Sequence, residues 1–223
     1  MKDSKLIVTA FDWVPGFAQG YVRDLRVRWA LGEAGFSYDV EVIPQGKQKT
    51  PAHLKRQPLG QIPTLDIDGR IMVESGAILW RIAETSTALL PDDAATRDRV
   101  LSWVFAALNT LEPPVGMLAT LELFVNDKDA AARLRPKIAA MVTGVLGRLV
   151  ATLGEGPHIV GNFSVADILL TTVLLDVPDD LLTDRPSLRA YVDRHTGRPA
   201  FQKALAGQMK PFAENAAKYE RAS

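Results

Sequence analysis

Two β-branched, apolar runs, LIVTAF (6–11) and YDVEVI (38–43), are separated by a single helical pattern, and this spacing constrains the fold more than any other feature. A strand, a helix and a strand in that order need a crossover connection, which is right-handed and sets the two strands parallel. Within the crossover, YVRDLRVRWALGEAGF places Val22, Leu25 and Trp29 on one helical face, with Gly35 positioned as the C-cap. A short helix over PAHLKR (51–56) follows, then TLDI and RIMV on either side of Asp68-Gly69, a strong hairpin signal. A helix from about Gly76 to Thr87 completes the order β-α-β-α-β-β-α. The expected product is an α+β domain with a mixed four-stranded sheet and helices on both faces.

From residue 89 the grammar changes. LLPDDAAT (89–96) reads as a linker, and no strand pattern follows it. Residues 97–125 hold Val100, Val104, Leu108 and Leu111 at helical spacing, and Pro113-Pro114 should kink or break that helix. Residues 129–153 form a second amphipathic helix and GNFSVADILLTTVLL a third. There Ser164 is a natural N-cap, Asp167 completes a capping box, and Phe163 and Ile168 suit a hydrophobic staple. Two more helices fit 186–195 and 199–217, the latter with Pro199 at its first position. The expected organisation is a domain over 1–87, a linker over 88–96 and an all-helical domain over 97–223.

Composition narrows the chemistry. Lys plus Arg equals Asp plus Glu at 26 each, so no global field favours nucleic acid or an anionic membrane. The longest apolar run, ILLTTVLL (168–175), is too short to span a bilayer, and the opening MKDSKLIVTAFDW is too short for a signal peptide. A cytoplasmic protein is therefore expected. There is no cysteine, which removes disulfides, thiolate metal sites and a protein-borne thiol nucleophile. The three histidines, His53, His158 and His195, are scattered along the chain, so no metal site is expected.

The segment GQIPTLDIDGRIMVESGAILW (60–80) carries two features that a plain strand–turn–strand–helix does not require. A cis Ile62-Pro63 bond before a strand would turn backbone polar groups outward, where a peptide-like ligand can pair with them. An edge-strand proline with no ligand reads the same way. Glu74-Ser75 stands where a strand hands over to a helix. A helix start suits a carboxylate, a serine hydroxyl adds a donor and a glutamate suits an ammonium, which together match an amino acid zwitterion. An N-cap serine with an acidic neighbour is the plainer alternative.

Taken together, PLGQIPTLDIDGRIMVESGAILWRIAE resembles the glutathione-binding segment of the cytosolic glutathione S-transferases. In that family an Ile/Val-Pro pair opens the third strand and Glu/Gln-Ser opens the third helix. The resemblance extends through LPDDAATRDRVLSWV, GNFSVADILLTTVLL and PSLRAYVDRHTGRPAFQKAL, nearly the whole chain. It implies a thioredoxin-like N-terminal domain followed by an all-helical domain. It also implies that Ile62 pairs with the cysteinyl part of glutathione beside cis Pro63, while Glu74 and Ser75 hold the γ-glutamyl end. Lys47, Gln48 or Lys49 would reach toward the glycyl carboxylate. Glutathione would be the co-substrate, a small hydrophobic electrophile its partner, and a homodimer the assembly. On the same fold, a glutathione-dependent isomerase, dehalogenase or peroxidase, or a non-catalytic glutathione-binding module, stays open.

Such chemistry needs the thiolate. Moving a thiol pKa from about 8.5 down by two units takes about 2.7 kcal/mol. One hydrogen bond to the charged sulfur, about 1.5–3 kcal/mol, and a nearby helix start, about 0.3–1 kcal/mol, suffice. By resemblance, Tyr21 stands where serine-type members carry their serine, and Arg23 where cysteine-type members carry their cysteine. Tyr21 is the candidate catalytic hydroxyl and Arg23 the runner-up, acting by charge. The intervening FDWVPGFAQG is longer than usual for the family, and Trp13 and Phe17 either line an electrophile pocket or pack this loop. Arg26 and Arg28 read as a solvated helix face. Ala107, Leu111 and Met117 are either walls of a second pocket or core.

Overall fold

The computed structural model describes residues 1–220. By packing, the chain divides into two compact units, Met1–Leu89 together with Arg198 onward, and Leu90–Gly197.

In the first unit β1 (Leu6–Phe11) and β2 (Asp39–Ile43) run parallel, from Ile7 opposite Asp39 to Phe11 opposite Ile43. The crossover helix α1 (Asp24–Glu33) ends in a Schellman motif, in which Phe36 N–H donates to the Leu31 carbonyl at 2.9 Å and Gly35 N–H to Gly32 at 3.1 Å. The short α2 spans Pro51–Arg56. β3 (Leu65–Ile67) and β4 (Arg70–Met72) form the expected hairpin. Asp68 and Gly69 both have positive φ, 53° and 85°, as a two-residue type I′ turn requires. The sheet order is β2-β1-β3-β4, mixed as expected. α3 (Ser75–Ala83) packs against α1.

The last helix, α10 (Pro199–Glu220), starts on Pro199 and packs on α1. Its place is with the sheet, whereas the division read from the sequence puts residues 97–223 in one helical domain. The reason lies in α1, which is buried all round from Asp24 to Leu31 and so needs a cover on more than one side. That burial also corrects the expectation for Arg26 and Arg28, which are 3% and 4% exposed rather than solvated. Arg28 pairs with Asp24 at 2.6 Å, and Gln208 of α10 donates to Asp24 and to the Val22 carbonyl. Burial pushes the Asp24 carboxyl up, against the pull of Arg28 and Gln208. Further along α10, Phe201 meets the Trp29 ring edge-on at 4.9 Å. Arg198, just before α10, forks onto Glu33 at 2.6 and 2.8 Å.

The second unit is helical: α4 (Ala94–Phe105), α5 (Glu112–Phe124), α6 (Lys128–Leu153), α7 (Val165–Leu175), α8 (Asp179–Leu182) and α9 (Pro186–Thr196). Pro113-Pro114 neither kinks the chain out of helical form nor ends it. The prolines fall in the first turn of α5, and the preceding Ala106–Leu111 widens into a π-helix that absorbs the missing donors. Two stretches, Ala94–Phe124 and Lys128–Leu153, meet the length and apolarity of a bilayer span although no uninterrupted run does. In the unit α5 packs on α6, and α4 on α7.

α7 is the centre of this unit, buried at every position from Val165 to Leu174. Its capping box is formed as expected: Asp167 accepts from the Ser164 amide at 2.9 Å. The same carboxylate accepts from the Ile159 amide at 2.9 Å and the Tyr191 hydroxyl at 2.6 Å. Two of the histidines scattered in sequence, His158 and His195, meet beside it, with ring nitrogens 3.0 Å apart.

Candidate functional site

The register of the sheet determines which loops share an end. β3 and β4 pair with Leu65 opposite Met72, so the Ile62-Pro63 turn that enters β3 and the Glu74-Ser75 step that leaves β4 lie at the same end of the hairpin. β1 pairs with β3 through Val8 opposite Leu65, which brings the end of β1 to the same side. The loop after β1 (12–23), the loop after β2 (44–50), the Ile62-Pro63 entry and the Glu74-Ser75 exit therefore gather at one sheet end. This is the carboxyl end of the two parallel strands, where open sheets with crossover helices carry their ligands.

The Ile62-Pro63 peptide is cis, and both residues are buried. Thr64 fastens this turn to β1: its amide donates to Thr9 Oγ1 at 2.6 Å, and its carbonyl accepts from the Thr9 amide at 3.1 Å. His53 of α2 holds the approach, its Nε2 lying 2.9 Å from the Gln61 carbonyl. Gly60 has φ 62°, and a Cβ there would stand 2.7 Å from Lys49 Cδ and 3.0 Å from the Gln48 carbonyl. Only glycine lets the turn pack so closely on 47–49. Lys49 is itself engaged, its Nζ donating to the Leu59 carbonyl at 2.9 Å.

Glu74 has φ 66° and ψ 114°, conformations that non-glycine residues avoid at a cost of about 1–3 kcal/mol. It occupies the N-cap of α3, its carbonyl accepting from Ile78 N at 2.9 Å, and its side chain is exposed. Ser75 is the first helical residue, 7% exposed, and so not the N-cap of the plainer alternative. The strained residue thus sets the start of α3, with its unpaired first-turn amides, beside the proline turn.

Tyr21 and Arg23 lie on the segment that leaves β1 at this end. Tyr21 is 49% exposed and Arg23 occupies the N-cap position of α1, also exposed. Ala107 and Leu111 are buried and line a cavity of about 210 Å³ with Trp103, Val145 and Leu149, inside the helical unit. Met117 lines a different depression, with Pro113, Leu121 and Ile138, so these three residues do not form one wall.

A cluster that sequence reasoning missed holds the 12–23 loop. Asp12, 4% exposed, accepts from the Gln45 amide at 2.9 Å, from Lys218 Nζ at 2.9 Å and from the Tyr219 hydroxyl at 2.8 and 2.9 Å. Trp13 stacks on the Tyr219 ring at 4.8 Å, almost parallel, which favours packing over an electrophile wall as its role. Burial works to raise the Asp12 carboxyl, but the bonds from Lys218, Tyr219 and Gln45 outweigh it and hold it below its ordinary value. No local motif announces this cluster, because Lys218 and Tyr219 stand 206 and 207 residues away.

Comparison with known proteins agrees with this geometry. The sequence profile of the glutathione S-transferase N-terminal domain matches residues 25–85, the part holding the proline turn and Glu74-Ser75. The chain is 32% identical over 197 residues to the maleylacetoacetate isomerase of Rhizobium meliloti (strain 1021), covering 83% of this chain and 92% of that one. It is 31% identical over 204 residues to glutathione S-transferase A of Cavia porcellus, covering 83% and 87%. Among solved structures, the glutathione transferase of Burkholderia graminis, with two glutathione molecules bound per subunit, superposes with a TM-score of 0.79 at 24% identity, over 90% of this chain and 87% of that one. The Pseudomonas putida glutathione transferase, holding glutathione disulfide, gives 0.77 at 22%, over 90% of each chain. With a relative above 30% identity matched along nearly its full length, and with the four-stranded mixed sheet followed by helices, the chain belongs to the cytosolic glutathione S-transferase family.

Proposed function

We propose that this chain binds glutathione across the Ile62-Pro63 and Glu74-Ser75 edge of its first unit and transfers the thiol sulfur to a small apolar electrophile. The observation that carries this reading is the β3–β4 register, which brings the cis Ile62-Pro63 turn and a Glu74 held in a left-handed φ to the same end of the hairpin. In that arrangement the Ile62 backbone pairs with the peptide-like middle of glutathione. Ser75 and the first amides of α3 take the γ-glutamyl carboxylate, and Glu74 takes the ammonium. Tyr21 donates its hydroxyl to the thiolate, with Arg23 as the second candidate; either donor would hold the sulfur ionised near neutral pH. The thiolate attacks the electrophile, one C–S bond forms and the leaving group departs with its electron pair. We place the protein in the cytoplasm as a homodimer acting in detoxification, by analogy with the family.

A second reading has one specific support, the relative named as an isomerase. An isomerase needs the same thiolate. Adding the sulfur to a cis C=C bond, rotating about the resulting single bond and expelling the sulfur returns glutathione unchanged. The two readings separate on products: a panel of aryl halides and epoxides yields a thioether and consumes glutathione, whereas a cis-enedione acid is isomerised with none consumed.

The site assignment is tested by titrating the thiolate absorbance of bound glutathione. A bound thiol pKa of about 6.5 is expected, rising by a unit or more in Tyr21→Phe. If Arg23→Met shifts it and Tyr21→Phe does not, Arg23 takes the role. Glu74→Gln should weaken glutathione about 10- to 100-fold, the loss of one charge-assisted contact.

A further inference from the structure

We propose that His158, Asp167 and His195 form a binding site for a single divalent transition-metal ion of the zinc class, held within the helical unit and independent of the glutathione reading. The donor atoms, one ring nitrogen from each histidine and one carboxylate oxygen, all lie within 4.8 Å of one another. His158 Nδ1 is 3.0 Å from His195 Nε2, and His195 Nε2 is 3.9 Å from Asp167 Oδ1. Ligands held about 2.0–2.1 Å from a tetrahedral ion stand about 3.3 Å apart, so the histidine pair is already near that spacing and the Asp167 carboxylate closes in to complete the set.

The surroundings of the three donors are those a metal needs. His195 Nδ1 lies 2.8 Å from the Tyr191 carbonyl, which can only accept, so Nδ1 carries the hydrogen and a neutral ring presents Nε2 as a lone pair. That is how an outer hydrogen bond fixes the tautomer and direction of a metal-bound imidazole. Asp167 is held by the Ile159 amide and the Tyr191 hydroxyl on Oδ1 and by Ser164 on Oδ2, so the ion takes over the place on Oδ1 that the Tyr191 hydroxyl holds in its absence. Its negative charge offsets half that of the ion. Asp167 and His195 are 0% exposed, while His158 is half-buried and supplies the entry side. With Nε2 of His195 as the lone pair, the hydrogen between the two rings sits on His158 Nδ1 and must leave that nitrogen, to His158 Nε2 or to solvent, when the ion binds. Three protein ligands leave a fourth position for water. Once filled, the site ties the turn before α7, the start of α7 and the end of α9 to a single ion.

The test uses the tag-free full chain, stripped with a chelator and titrated with Zn²⁺ calorimetrically, and with Co²⁺ followed by visible absorption. One equivalent is expected to bind with a Kd in the micromolar range or tighter, to weaken on acidification as the imidazoles protonate, and to raise the melting temperature. His158→Gln, at the half-buried position, should keep the fold and lose at least fiftyfold in affinity. In the wild-type chain, imidazole NMR should show His158 and His195 shifting on Zn²⁺ addition while His53 stays in place, so the assignment does not depend on a variant folding. Absence of a stoichiometric ion, equal affinity in His158→Gln, or perturbation of His53 instead would overturn the proposal.

Discussion

Asp12 and Asp167 are both almost sealed from water and both gather several donors, but the donors come from opposite distances along the chain. Asp167 is served by Ser164 and Ile159, three and eight residues away, and by Tyr191. Asp12 is served by Gln45 and then by Lys218 and Tyr219, more than two hundred residues on. The first arrangement is mostly local and needs only the start of α7, the turn before it and α9, which follows soon after in the chain. The second closes only when α10 has packed along α1, and it secures the very loop on which Tyr21 and Arg23 are carried. Local polar clusters build the scaffold here, and a distant one holds the candidate catalytic segment.

The sharpest way to break this comparison is to remove the local hub. Asp167→Ala strands the Tyr191 hydroxyl and two amides inside the protein, and should cost about 3–5 kcal/mol in chemical denaturation. A loss under 1 kcal/mol would mean that the box is decorative. Tyr219→Phe probes the distant cluster more gently, keeping the stack on Trp13 and deleting the phenolic donor. An effect of about 1–2 kcal/mol is expected, together with a change in kcat or in glutathione Kd that an equally destabilising change in the second unit does not produce. The smallest effect is on pH. Because the folded Asp12 carboxyl lies below its ordinary value of 3.8, its contribution is complete above that pH and is lost as pH falls below it. The stability gap between wild type and Asp12→Asn, followed by urea unfolding from pH 6 to pH 3, should therefore narrow toward the acid end. Asp24 works in the opposite sense: its carboxyl is raised, so its ionisation removes stability as pH rises above 3.8, and Asp24→Asn should fare relatively better at neutral pH than in acid.

What could be read in advance follows the same division. The Asp68-Gly69 turn, the Gly35 cap and the Ser164–Asp167 box are short-range devices whose residues state their geometry, and each is formed. The Ile62-Pro63 and Glu74-Ser75 pairs were legible as a motif, while their placement at one end of the hairpin follows from a register that the motif does not spell out. The burial of Arg26 and Arg28 was not legible, since charged positions on a helix read as solvated until what packs around the helix is known. Nor was the meeting of His158 with His195, because 37 residues of chain and two helices separate them. The π-helical turn escaped as well: prolines in sequence announce lost donors, but not whether the chain will break or widen to accommodate the loss.

Because α10 belongs with the sheet, the first unit is discontinuous in sequence, and the helical unit is set into it as an insertion. During synthesis the strands and α1 leave the ribosome first, yet the face that α10 covers must wait for all of Leu90–Gly197, on the order of 5–20 s at about 5–20 residues per second. For that interval Trp29 and the Asp24–Arg28 pair lack the α10 side of their enclosure. The nascent chain thus passes through a stage in which its helical insert can be complete while its glutathione-family domain is not, and the order of maturation runs against the order of translation.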